Sequence, residues 1–148
     1  MPGTVHLHRV LRAPPSRVYR AFLEPAALVR WMAPYGFTAE VHEMDARVGG
    51  GYRMSFTNFG SGTTHAFGGR YVELVPERLI RYTDAFENPG LPGEMRMRIE
   101  LREVACGTEL TIEQAGLPDA IPVEFCVLGW QESLEQLARL VEPVIPDA

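Results

Sequence analysis

The segment MRMRIELRE, residues 95–103, alternates apolar and charged positions. Met95, Met97, Ile99 and Leu101 fall on one side, and Arg96, Arg98, Glu100 and Arg102 on the other. A repeat of two sends successive side chains to opposite faces of a strand, so one face is buried and one is wet. The same period recurs in YRMSFTNF, where Tyr52, Met54 and Phe56 oppose Arg53, Ser55 and Thr57. In LIRYTDAF it puts Ile80, Tyr82, Asp84 and Phe86 on one face. FTAEVHEMDA, HAFGGRYVEL and ELTIEQA complete a run of six strands, separated by the turn and loop segments RVGGG, GSGTT, VPER, ENPGLPGE and VACGT. The pair Gly68–Gly69 inside HAFGGRYVEL predicts a bulge or a sharp bend.

Ahead of this run, VHLHRVLR (residues 5–12) alternates enough for a further strand. APPSRVYRAFLEP then predicts a short helix, with Ser16 as its cap, Val18, Tyr19, Phe22 and Leu23 as its apolar face and Pro25 as its stop. AALVRWM predicts a second short helix that ends before Pro34. At the far end the period changes. Val123, Val127, Trp130, Leu134, Leu137 and Val141 are spaced three or four apart and form one apolar stripe of a long helix. That helix starts near Asp119 or Pro122, runs to Glu142 before Pro143, and is about 20 residues or roughly 30 Å long. Glu132, Glu135 and Arg139 lie off the stripe and are expected to face water.

The element order is therefore strand, two short helices, six strands and one long helix, an α+β arrangement with about seven antiparallel strands. One-sided strands need a cover, and the long helix is the element large enough to supply it. A twisted sheet curling around a helix leaves a gap where the two surfaces diverge, which is a candidate ligand cavity. Gly129 stands in the middle of that helix beside Trp130, although a mid-helix glycine costs roughly 1 kcal/mol against alanine. Gly129 and Ser133 fit two readings equally: they widen a cavity, or they let the helix approach a strand closely.

Composition changes this picture little. At 148 residues, 46% hydrophobic and 22% charged, the chain can build one core across residues 1–148 without disulfides or metal. A net charge of −5 argues against nucleic acid or an anionic membrane held by bulk electrostatics. No apolar run approaches the roughly 20 residues that span a bilayer, and MPGTVHLHRVLRAPP has no apolar leader core. Cys106 in a turn and Cys126 on the long helix read as free thiols, so a cytoplasmic protein is expected.

Several segments resemble a known family. RAPPSRVYRAFLEPAALVRWMAPYGF is similar to the opening of the START-like, or SRPBCC, superfamily, in the branch related to the C-terminal domain of the heat-shock-protein-90 ATPase activator. FGGRYVELVPERLIRYTDAF resembles its glycine–tyrosine strand, proline turn and following strand. RIELREVACGTELTIEQAGLP resembles its hairpin, and GWQESLEQLARLVE its closing glycine–tryptophan helix. The resemblance runs over roughly residues 5–142 and implies the helix-grip fold, a curved antiparallel sheet around a long C-terminal helix with an internal cavity. It implies no reaction, because the superfamily holds carriers, cyclases, hydroxylase subunits and chaperone regulators. The activator's separate N-terminal chaperone-binding domain has no counterpart here, so chaperone regulation is not the expected role.

The residues expected to line the cavity are Phe22, Met32, Met54, Phe56, Phe67, Tyr71, Tyr82, Met95, Met97, Cys126, Gly129, Trp130 and Ser133. Core packing accounts for many of them, and methionine also suits a pocket that adapts to varied ligands. Tyr71 and Tyr82 each carry a hydroxyl that wants a partner inside. Asp84 is a candidate acid or base if buried; the favoured expectation is a strand-end carboxylate near the mouth, solvated or paired with an arginine. His65 is expected to be exposed beside its turn. His6 and His8 share a strand face, but an HxH pair without further ligands defines no metal site. GGG at 49–51 precedes a strand, not a helix, so it reads as a turn and not a phosphate cradle. No cofactor is implied.

Three functions follow. The preferred one is a binding module for a small hydrophobic or amphipathic molecule, since the chain offers a cavity but no nucleophile, metal set or triad. The second is a cavity enzyme of cyclase, dehydratase or hydrolase type, which needs at least two of Asp84, His65 and Tyr82 to converge. The third is a chaperone partner acting through surface contacts. Phe125, Leu128 and Leu140 lie off the helix's main stripe and offer a self-contact for a homodimer.

Overall fold

The computed structural model describes residues 3–147. Strand β1 (Gly3–Leu11) is followed by α1 (Pro15–Leu23) and α2 (Pro25–Trp31). The meander is β2 (Phe37–Met44), β3 (Gly51–Asn58), β4 (Thr64–Val75), β5 (Leu79–Phe86), β6 (Met95–Val104) and β7 (Gly107–Leu117), and α3 (Val123–Val141) closes the chain. All neighbours pair antiparallel in the order β1-β7-β6-β5-β4-β3-β2. Consecutive strands lie side by side through short connections, and β1 completes the sheet on the free edge of β7.

Alternation in the sequence becomes alternation in burial most clearly in β6, where Met95, Met97, Ile99 and Leu101 are buried and Arg96, Arg98, Glu100 and Arg102 are exposed. β7 supplies Leu110 and Ile112, both fully buried, opposite Leu101 and Ile99. Val5 and Leu11 of β1, Val18 of α1 and Leu137 and Val141 of α3 close this end of the core. α3 is tied down here by the Arg17 guanidinium, which donates to the carbonyl of Val141 at 2.7 Å.

The long helix is not centred on the sheet. Among the strands, its sustained backbone contact in the described residues is with β1, and it also packs on α1 and α2. Its C-terminal half buries Leu134, Leu137, Ala138 and Val141, whereas its N-terminal half carries Cys126, Gly129, Trp130 and Ser133 towards β3–β5 across a gap. Val123 and Val127 of the predicted stripe are therefore half-buried, and Ala138 is buried in their stead. Glu132, expected in water, is half-buried and accepts the backbone N–H of Tyr35 at 3.2 Å. Glu135 and Arg139 are exposed and pair at 3.1 Å.

Two local expectations are corrected. Ser16 does not cap α1: Pro15 occupies the first helical position, Pro14 is the cap, and no side chain bonds the freed N–H groups. Proline at this position needs no donor partner and has its φ preset. The glycine pair in β4 is not itself the bulge. Gly68 faces Ala85 and Tyr71 faces Tyr82 in unbroken register, and the extra residue is Val72, between Tyr71 and Glu73. The glycines serve close approach instead: a Cβ on Gly69 would lie 1.9 Å from the Thr83 carbonyl oxygen, and one on Gly68 would lie 2.3 Å from that of Tyr52. A bulge such as that at Val72 increases the local twist of its strand.

Candidate functional site

Between the N-terminal half of α3 and the concave face of β3–β5 lies a cavity of about 810 Å³. Its floor is apolar and aromatic. Met54 and Phe56 come from β3, Phe67 and Tyr71 from β4, Ile80 and Tyr82 from β5 and Met97 from β6; Phe22, Leu28 and Met32 close the helical side. Phe56 meets Phe67 edge-on at 4.8 Å between ring centroids, and Phe67 meets Phe86 at 6.4 Å. The exposed residues Phe37, Thr64, His65, Pro89 and Phe125 also line it, so it opens to solvent between the β5–β6 loop and the start of α3.

The roof depends on small residues. A Cβ on Gly129 would meet only the Pro34 ring, at 3.6 Å, which is ordinary contact. No strand approaches this glycine, so the close-approach reading is set aside and the glycine leaves volume to the cavity. Ser133 spends its hydroxyl on the carbonyls of Met32 at 2.7 Å and Gly129 at 3.0 Å, which fixes the α2–α3 junction. Trp130 donates its indole N–H to Gln114 Oε1 at 2.9 Å, and Gln114 donates in turn to the Met95 sulfur at 3.3 Å.

One wall is different. Tyr52, Tyr71 and Tyr82 pack together with ring centroids 5.7–6.1 Å apart. The Tyr52 hydroxyl donates to Asp84 Oδ1 at 2.7 Å. Asp84 thus has a partner that the sequence did not single out: it forms no ion pair with an arginine among the described residues, and it is half-buried on the cavity wall near the end of β5. The accessible surface that Asp84 and Tyr82 retain faces the cavity, not bulk water, so desolvation still governs their titration. Burial pushes the Asp84 carboxyl up from 3.8 to about 7, against the opposing hydrogen bonds from Tyr52 and the Ala85 backbone. Burial, followed by the nearby Asp84 charge, pushes the Tyr52 and Tyr82 phenols well up, and burial alone raises Tyr71.

Among the described residues, every fully enclosed polar side-chain atom has a hydrogen-bond partner. The Tyr71 and Tyr82 hydroxyls bond to no group among the described residues, and both side chains line the cavity. The interior therefore presents two free phenols and a carboxylate on an otherwise greasy surface.

Of the residues expected around the gap, Phe22, Met32, Met54, Phe56, Phe67, Tyr71, Tyr82, Met97, Cys126, Gly129, Trp130 and Ser133 are brought together. Met95 is not: it is fully buried beneath Gln114. Burial raises the Cys126 thiol. His65 is exposed at the rim and does not join Asp84 and Tyr82. Phe125, expected in a self-contact, lies at the mouth, while Leu128 and Leu140 are exposed on α3. His6 and His8 lie on the outer sheet face near Glu113 at 3.8 Å and Glu109 at 3.1 Å; no cluster of three metal-ligating side chains occurs among the described residues. Gly49, with φ of 85°, makes the GGG segment a turn that pairs with Tyr71 backbone. Cys106 and Cys126 are free thiols, and no helix among the described residues is long and apolar enough to cross a membrane.

Tyr52, placed on the inner face by alternation but not among the residues expected to line the cavity, and Gln114 are among the lining residues not singled out, as are Leu28, Ile80 and Phe86. Gln114 carried a signal, as the one amide on the face of ELTIEQA shared with Leu110 and Ile112.

A curved antiparallel sheet gripping a long C-terminal helix over such a hollow defines a START-like, helix-grip protein. The family described as "Activator of Hsp90 ATPase homolog 1-like protein" (AHSA1) matches residues 12–142, and the chain belongs to that family. The crystal structure of protein CV1439 from Chromobacterium violaceum is 62% identical, covers 97% of this chain and 100% of its own, and superposes with a TM-score of 0.96. The AHSA1 protein from Silicibacter pomeroyi, at 20% identity, covers 93% of this chain and 96% of its own with a TM-score of 0.81. Protein NE0264 from Nitrosomonas europaea, at 23% identity, covers 94% of each with a TM-score of 0.79. The last two share the fold. No curated protein sequence matches the chain.

Proposed function

We propose that this protein binds a small, largely hydrophobic molecule inside the cavity between α3 and β3–β5. The observation that carries this reading is the hollow itself: about 810 Å³, walled by aromatic and methionine side chains, and roofed where a glycine stands in a helix that would be more stable with alanine. A core built only for stability would fill such a space, because each lost contact destabilises. The chain's two free thiols are in keeping with a reducing, cytoplasmic setting.

The test uses Nile red, an uncharged apolar fluorophore. Wild-type protein should bind it saturably with a blue-shifted emission. Gly129→Leu, which pushes a side chain into the gap, should weaken binding by about tenfold or more while leaving the melting curve cooperative. Equal binding by the two proteins would move the site elsewhere.

A second reading draws on one specific observation. Asp84, at about 7 and hydrogen-bonded to Tyr52, has a proton affinity suited to acid–base work at neutral pH. As an enzyme, the protein would use Asp84 as base and the free Tyr82 or Tyr71 hydroxyl to hold the developing oxyanion. Turnover of an enolisable ketone, measured as deuterium exchange and abolished by Asp84→Asn, would favour this reading; no exchange above the variant's level would remove it.

A further inference from the structure

Two carboxylates line the cavity: Glu87 at the rim is paired with Arg53, whereas Asp84 on the inner wall meets no cation among the described residues. Asp84 lies on β5 next to the phenol of Tyr52, with Tyr82 two residues along the same face and Tyr71 packed against both. Among the described residues, no arginine or histidine pairs with Asp84, although Arg53 of β3, Arg81 of β5 and Arg98 of β6 form ion pairs of their own with Glu87, Glu73 and Glu100. These arginines stay on the outer side of the sheet and leave the inner carboxylate alone.

From this arrangement we infer that the ligand is a lipophilic amine, its ammonium seated on Asp84 against the tyrosine wall and its apolar body lying over Met54, Phe67 and Trp130. This rests on the binding function proposed above and names the chemical class that the same site selects.

Three physical reasons point to a cation. A carboxylate surrounded by protein is costly when it meets no cation, and folding has already displaced much of the bulk water around Asp84. An incoming ammonium therefore gains the full attraction and incurs only its own desolvation. Phenol rings offer negative faces to a cation within about 6 Å of their centroids; Tyr52 and Tyr82 stand beside this carboxylate, and Tyr71 packs on both rings. Finally, the free hydroxyls of Tyr71 and Tyr82 can accept the ammonium's remaining N–H bonds, which the Asp84 oxygens alone cannot do. A carboxylate ligand would meet Asp84 as a like charge, and a plain hydrocarbon would leave it unmet.

The test compares three probes that share a naphthalene body: 1-naphthylmethylamine (cationic), 1-naphthylmethanol (neutral) and 1-naphthylacetate (anionic). Each is titrated calorimetrically into the full-length protein at about pH 8. The amine should bind about tenfold or more tightly than the alcohol, and the acid more weakly than either. In Asp84→Asn the amine's advantage should vanish while the alcohol binds within about threefold of wild type.

A second measurement does not depend on that variant folding. On the wild-type protein, the amine's advantage should shrink as pH falls from about 8 to about 5.5, because Asp84 takes up a proton. The groups beside Asp84 are Tyr52 from β3 and Tyr82 from β5, with Tyr71 from β4 packed on both rings, all raised and uncharged throughout this range. β6 presents only Met95 opposite it, and α3 contributes the raised Cys126 thiol across the cavity. His65 and the Arg53-paired Glu87 stand at the rim, and repeating the series in His65→Gln removes the histidine's part.

An alcohol that binds as tightly as the amine overturns the inference while leaving the cavity reading intact. So does an advantage that survives in Asp84→Asn or does not change with pH. If none of the three probes binds, both readings fall.

Discussion

Replacing Asp84 by asparagine keeps the shape and the acceptor for the Tyr52 hydroxyl but removes the ionisation. In the folded protein the carboxyl is raised to about 7 from an ordinary 3.8. Between those two values the folded state holds a proton that the unfolded chain has released. Stability therefore falls as pH rises, being fully present below the unfolded value and lost by the time pH passes the folded one. At 1.36 kcal/mol per pH unit, the full interval is worth about 4 kcal/mol, and the part above about pH 5 is worth roughly 3 kcal/mol. Asparagine has no such penalty.

The expected result in urea unfolding at a series of pH values is a variant that gains on wild type by roughly 1–3 kcal/mol between about pH 5 and about pH 8. The exposed carboxylates whose ion pairs or hydrogen bonds lower them, Glu24, Glu87 and Glu109, act in both proteins alike and cancel from the difference. A stability difference that stays flat with pH, or wild type gaining on the variant as pH rises, would refute the reasoning. Either would mean that Asp84 is ionised at no cost and meets water or a cation.

Other perturbations separate the packed end of the fold from the hollow end. Gly129→Ala should raise the melting temperature, by an amount corresponding to at most about 1 kcal/mol, and leave Nile red binding almost unchanged, because its Cβ meets only Pro34 at 3.6 Å. Leu137→Ala, at the fully buried end of α3, should cost about 2–5 kcal/mol in urea unfolding. Gly69→Ala should destabilise by several kcal/mol, since its Cβ would lie 1.9 Å from the Thr83 carbonyl oxygen; native-like unfolding by that variant would contradict the close strand approach.

The sequence was most informative where one physical demand acted alone. β6 carries strict alternation because its inner face meets core along the whole strand, and the end of α3 is marked by Pro143 just beyond Glu142. It was less informative where two demands met. Gly68 and Gly69 announce a bend, but the extra residue falls at Val72, because close backbone approach and register slip are met at different positions. The apolar stripe of α3 looks uniform on a helical projection, yet Leu134, Leu137 and Val141 are buried while Val123 and Val127 are only half-buried, because the first half of the helix borders the cavity, which no periodicity contains.

Most of the cavity lining was legible because those residues share an inner face. The pairing of Tyr52 with Asp84 was not. It joins residues 32 apart in the chain through a 2.7 Å contact between two strands, β3 and β5, that are not neighbours in the sheet, so no pairing register announces it. Met95 shows the reverse limit: it has the right face and the right chemistry, but Gln114 lies between it and the hollow.

A crystal structure of the protein grown with Nile red tests the central claim most directly. The account predicts planar density within the hollow, between Phe67 and the Gly129–Trp130 turn of α3, with the dye's carbonyl near the Tyr71 and Tyr82 hydroxyls. Dye density confined to the outer surface, or an α3 packed down onto β3–β5 with no room beneath it, would contradict it.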